Sequence, residues 1–235
     1  MRRLLLTVLL LLSIFGFTAC NNKKPVYTED DYKRLNAVIH HVENILKYGK
    51  AYNPDTELLP DAINTLTGEP AKWVFPNRAT VPYSNMANQQ NFLRTLVALS
   101  TVTGNPKYKN QAVATLSEFM ENYQDPNGLF YWGGHRMINL DTLEVQSTEG
   151  PDGPHELKNM MPYYELMYEV DPDATLKFMR QLWTAHYEWD TSDLNRHGSY
   201  STAYDQNAFG QKIPDDIIKF GDDGRPIIPE DSPGK

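Results

Sequence analysis

Cysteine is nearly missing from this chain. Cys20 is the single cysteine among 235 residues, so no intramolecular disulfide and no cysteine-based metal site can form. Short nucleotide and nucleophile signatures are missing as well. There is no GxSxG, no P-loop, no dinucleotide glycine fingerprint and no HExxH. Basic clusters are lacking: 22 Lys and Arg stand against 30 Asp and Glu, for a net charge of −8. An acidic chain without such clusters is no nucleic-acid binder, and its charge mainly favours solubility. Beyond residue 20 no apolar run is long enough to cross a bilayer, which takes ~20 residues. The mature fold must be held by its core alone.

What is present begins at the amino terminus. Arg2 and Arg3 precede an apolar run from Leu4 to Phe17, and Phe17-Thr18-Ala19-Cys20 supplies small residues ending in Cys. This is the order of an export signal. Its end resembles the lipobox of bacterial lipoproteins, which implies a signal peptide at 1–19 and a lipid on Cys20 as membrane anchor. Asn21, where the usual sorting rule reads Asp as inner-membrane retention, favours the outer membrane of the cell envelope. Residues 20–27 read as a tether.

Helical spacing dominates the mature chain. Thr28 precedes Glu29, Asp30 and Asp31, an N-cap followed by acids in the first turn. Gly49 is expected to end that helix. Residues 50–83 carry five prolines and should be irregular, and a stretch of that kind is often functional. Ser84 to Tyr123 reads as a helical hairpin with a Gly104-Asn105-Pro106 corner. Leu129 to Trp132 looks extended. A further helix is expected from His155 to Val170, with Pro162 near a kink, and another after Asp171-Pro172 through Trp189. The two cap-Pro corners lie 66 residues apart. Repeated hairpins of this kind suggest an all-α domain at 28–210, α/α-toroid-like and incomplete, with minor strand content. Residues 211–235, rich in proline and glycine, read as a loose tail.

Four patches carry chemistry. The run from Ser84 to Asn91 includes Asn88 and Gln89, whose amides suit sugar hydroxyls, or equally a capping cluster. Tyr131-Trp132-Gly133-Gly134-His135-Arg136 offers an aromatic face to stack on a sugar ring, beside glycines that admit a ligand; the alternative is a packed turn. His155-Glu156-Leu157-Lys158 places three ionisable types together, and His155 can move a proton near neutral pH. An ordinary helix N-terminus is its competitor. Trp183, His186 and Trp189 precede Asn195-Arg196-His197-Gly198-Ser199-Tyr200, where Arg, His and Tyr can bind an acid and move a proton. His186 is as readily a satisfied core histidine. His40 and His41 are expected on the surface. The remaining histidines lack close metal-ligand spacing, so neither metal nor cofactor is expected.

These blocks, with Thr67-Gly68-Glu69-Pro70 and Thr103 to Tyr108, resemble exported bacterial proteins of the pectate lyase-like group, placed among the six-hairpin α/α-toroid carbohydrate-active enzymes. The likeness spans Leu58 to Tyr200. It implies a polysaccharide substrate containing uronic acid. A closed ring of six hairpins needs twelve helices against the roughly five expected here, which implies a missing C-terminal half or a partner subunit.

β-Elimination on a uronate needs a neutralised carboxylate, a base for the C5 proton and an acid for the leaving oxygen. Arg136, Arg196 and Lys158 suit the first role, His135, His155 or His197 the second, and Tyr200 or a histidine the third. A glycoside hydrolase such as a glucuronidase would instead pair two carboxyl groups: Glu156 with Asp61, Glu69, Asp141 or Asp152. A glycan-binding lipoprotein without turnover, or an inactive fragment, would need only the aromatic loops.

Overall fold

The computed structural model describes residues 27–74, 80–150, 153–157, 161–188, 193–205 and 222. The expectations for Cys20, Asp152, Lys158, Trp189 and residues 211–221 and 223–235 lie outside them. The chain divides into two compact units, Met1–His40 and His41–Lys235. In the first, Thr28 opens the helix α1 (Glu29–Tyr52). Its hydroxyl accepts the Asp31 N–H at 3.2 Å, and the Asp31 carboxylate accepts the Thr28 N–H at 2.8 Å, a reciprocal cap.

The second unit holds the remainder of the described fold. Gly49 does not end α1. It lies inside the helix, where a Cβ would come within 2.9 Å of the Pro60 ring, so glycine serves close packing there. Helices α2 (Met86–Thr103) and α3 (Lys107–Asn122) form the expected hairpin. Gly104 turns the corner with φ +70°, and the Asn105 side chain accepts the Lys107 N–H at 3.1 Å. Helices α4 (Tyr164–Val170) and α5 (Pro172–His186) form a second pair, in which Asp171 caps α5 by accepting the Ala174 N–H at 2.9 Å.

Before, between and after the pairs the chain makes short strands. β1 (Lys72–Val74), β2 (Thr80–Ser84), β3 (Arg136–Asn139) and β4 (Val145–Ser147) form an antiparallel sheet in that order. Two small ladders follow: β5 (His155–Glu156) with β8 (His197–Gly198), and β6 (Tyr187–Glu188) with β7 (Asp193–Leu194). The helix expected from His155 therefore begins only at Tyr164. Residues 155 and 156 spend their backbone groups on β8 instead, and Pro162, which lacks an N–H, disfavours helix in the residue before it.

The core is aromatic. Trp132 stacks on Phe119 at 5.8 Å and 14°, and meets Phe178 edge-on at 5.1 Å. Phe130 contacts both Phe119 and Phe178. All four rings are buried, and Phe119 and Phe178 bring α3 and α5 onto the 129–132 segment.

Candidate active site

The site forms where β3, β5 and β8 present their ends. In the β5–β8 ladder Glu156 pairs with His197 and His155 with Gly198. Successive strand residues point to opposite faces, so Glu156 and His197 share one face while His155 turns to the other. His135 arrives just ahead of β3. The β3–β4 register carries on past its end, where the Thr148 N–H donates to the His135 carbonyl at 3.0 Å.

Three ligand atoms, one each from His135, Glu156 and His197, lie within 4.8 Å of one another. The two imidazoles approach Nε2 to Nε2 at 3.3 Å. Two imidazole nitrogens and one carboxylate oxygen make a donor set suited to a divalent transition cation. The supporting bonds agree with that use. Glu149 Oε1 lies 2.9 Å from His135 Nδ1, the second contact that orients a ligating imidazole and fixes its tautomer. Sequence spacing gave no expectation of a metal, because the three residues lie far apart in the chain and meet only through the strands. The sequence suggests His135 and His197 as bases and Glu156 as a hydrolase carboxylate, none of them as a ligand. Glu149 was not singled out, and only its hairpin register could have revealed it.

Arg196 is exposed and ion-pairs with the buried Glu156 carboxylate. Its own carbonyl accepts the Leu157 N–H at 2.9 Å. Gly133 and Gly134 run under Glu156. Gly133 has φ +105°, and a Cβ at either position would crowd Glu156. Close approach is thus the reason for this glycine pair.

His155 and His186 stand behind the cluster. Trp132 Nε1–H donates to His155 Nε2 at 2.9 Å, His155 Nδ1 lies 2.7 Å from His186 Nε2, and His186 Nδ1 lies 2.8 Å from the Asn195 carbonyl. Burial, aided by the neighbouring His186, pushes His155 down to about 3. Burial also lowers His186, against the opposing pull of the Asn195 carbonyl. Neither ring is placed to trade protons with a substrate, which corrects the expectation of His155 as acid or base and of His186 as a binding residue.

Other expectations are corrected in the same way. Trp132 is buried, stacks on Phe119, meets Phe178 edge-on and donates its N–H to His155, so its ring is chiefly a core element. Arg136 is buried, donates to the Gly153 carbonyl and lies 4.6 Å from the Tyr200 ring centroid. The Tyr200 hydroxyl donates to the Phe130 carbonyl at 2.9 Å, and burial raises its pKa. Gln89 donates to Leu59, Asp61 and Ser84, and Asn88 to Asp61, the capping-cluster alternative. Trp183 is partly exposed and stacks on Tyr187 at 4.5 Å. Asp61 takes these amides, Asp141 accepts from Tyr52, and the catalytic pairing of either with Glu156 has no support.

Beside the Glu156 strand lies a recess of about 420 Å³. Its wall combines the apolar Leu157, Met161 and Leu182 with Gln90, His155 and Glu156.

A cation-capable cluster with an arginine at its rim, raised on short strands beside the helical pairs, defines the class of site. The chain belongs to the periplasmic pectate lyase family, which matches residues 56–226. Over 177 residues it is 43% identical to a pectate disaccharide-lyase of Dickeya dadantii (strain 3937), covering 74% of this chain and 33% of that protein. The chain thus spans about a third of the length of the curated relative it matches.

Proposed function

We propose that this chain carries the reaction centre of a cation-assisted polysaccharide lyase that cleaves pectate by β-elimination. The meeting of His135, Glu156, His197 and Arg196 at one point carries this reading, and membership of the periplasmic pectate lyase family supports it. His135, Glu156 and His197 would hold the cation. When bound, it would neutralise the uronate carboxylate and so make the C5 proton more acidic.

Elimination then narrows the proton acceptor. His155 has both ring nitrogens engaged. An imidazole nitrogen that coordinates a cation has no lone pair left for a proton. The Tyr200 hydroxyl is committed to Phe130. That leaves Arg196, which the sequence suggests for carboxylate neutralisation, as the exposed ionisable group at the cluster.

Incubation of the full-length gene product with polygalacturonate and Mn²⁺ should generate the ultraviolet absorbance of an unsaturated uronide, and a chelator should abolish it. Silence across several uronate polymers would overturn the reading. Reducing ends released without absorbance would move it to hydrolysis.

Two structural features bear on the wider reading. The helical pairs α2–α3 and α4–α5 support an α/α toroid, of which this chain would be a part. Leu176, Met179 and Trp183 form a partly exposed apolar stripe along α5, which suits a further helical layer from a longer chain or a partner. The export signal and Cys20 suit a lipid-anchored location in the envelope, in keeping with the family's periplasmic description.

A further inference from the structure

We propose that His155 and His186 are positioning residues: with Trp132 they form a one-directional chain of three hydrogen bonds that fixes the turn presenting Arg196 and His197 to Glu156. The proposal rests on the functional reading above for its consequence in catalysis, though not for its geometry.

The direction of the chain follows from the donor inventory. Indole nitrogen can only donate, so His155 Nε2, 2.9 Å away, must accept. A neutral imidazole that accepts at one nitrogen carries its proton on the other. His155 Nδ1 therefore donates to His186 Nε2 at 2.7 Å. By the same step His186 Nδ1 carries a proton, and its partner at 2.8 Å is the Asn195 carbonyl, which can only accept. Every tautomer is set by the one before it. The whole chain is uncharged and buried from Trp132 to His186, where an unmatched polar group is costly.

The far end of the chain is the turn itself. The Asn195 N–H donates to the His186 carbonyl at 2.7 Å, so His186 grips Asn195 through both backbone groups. The Asn195 side chain then accepts the His197 N–H at 3.0 Å. Gly198 completes the fit, since a Cβ there would come within 2.6 Å of His186 Nε2. The rigid aromatic core is thereby linked through two imidazoles to the residue immediately before Arg196. Supporting contacts of this kind around a cation site are worth about 10- to 100-fold in affinity or activity.

Two measurements on the full chain test this. The first is nitrogen-15 spectroscopy of the imidazoles in the wild-type protein with chelator present: both His155 and His186 should be neutral with the proton on Nδ1. A proton on Nε2 of either ring overturns the proposal, whatever the protein's activity. The second compares His186→Phe with His186→Gln, whose amide can both accept and donate. In His186→Phe, Mn²⁺ affinity should fall tenfold or more and kcat should fall with it, while KM moves little. His186→Gln should recover part of both at a similar melting temperature. A His186→Phe protein that binds Mn²⁺ and turns over like wild type overturns the proposal. If wild type itself binds no Mn²⁺, the functional reading fails while the tautomer measurement still decides the chain.

Discussion

The Glu156 carboxylate fills the space that a Cβ on residue 134 would need. Gly134 has ordinary backbone geometry, so the demand for glycine is one of room rather than of conformation. Gly134→Ala should leave the fold standing and push Glu156 out of line with His135 and His197. The expected outcome is a loss of Mn²⁺ affinity of at least tenfold, read by titration, with a change in melting temperature of only a few degrees. Unchanged affinity would mean that Glu156 is not a ligand.

Trp132→Phe removes the indole N–H, so His155 Nε2 loses its donor inside the core, and the smaller ring also gives up packing against Phe119 and Phe178. The expected destabilisation is about 1–3 kcal/mol, measured by urea unfolding. Members of one hydrogen-bond network couple. A double variant with His186→Phe should therefore fall short of the summed single effects by at least about 0.5 kcal/mol. Strict additivity would show that the two residues act separately.

His155 also sets a pH dependence of stability. Its ordinary value is 6.5, and burial lowers it to about 3 in the folded protein. Beside it in the fold are Trp132, His186, Tyr200 and Phe178, none of them an acid that would stabilise a charged ring. The folded state thus favours the neutral form, and the unfolded chain binds an extra proton between these two values. The contribution is fully present above pH 6.5, declines as pH falls and is gone near pH 3. Between pH 7 and pH 5 this single group should remove about 2 kcal/mol. Urea unfolding of wild type and His155→Gln, both in chelator, reads the difference. Parallel pH profiles for the two proteins would count against the assignment.

Helices were far more legible in the sequence than strands. The corners at Gly104-Asn105-Pro106 and Asp171-Pro172 announce themselves through residues that act locally: a left-handed glycine, an Asn or Asp cap and a proline. β5 and β8 are two residues each and gain their pairing from each other, about forty positions apart, so no local period marks them. The same distance hid the cluster. His135, Glu156 and Arg196-His197 were each recognisable as reactive types in loop-like settings, yet nothing local says that they converge. Trp132 and His155 misled for the opposite reason. Aromatic and ionisable residues beside glycines suit a ligand site and a buried polar chain equally well, and only burial separates the two.

Arg196 offers the sharpest test of the chemistry. It is exposed but pairs with the buried Glu156 carboxylate, so removing it should cost stability unless a cation takes its place beside Glu156. If Arg196 only paired the substrate carboxylate, Arg196→Lys would keep the charge and most of the turnover, with KM carrying the change. If Arg196 receives the C5 proton, lysine and alanine should both fail, because geometry as well as basicity is lost. The expected result is a fall in kcat of about 10²- to 10⁴-fold for both variants, with KM and Mn²⁺ affinity near wild type. Turnover in Arg196→Lys within tenfold of wild type would assign the residue to charge pairing and return the proton to an imidazole. That imidazole would have to be His135 or His197, which in turn would argue against both of them holding a cation during the reaction.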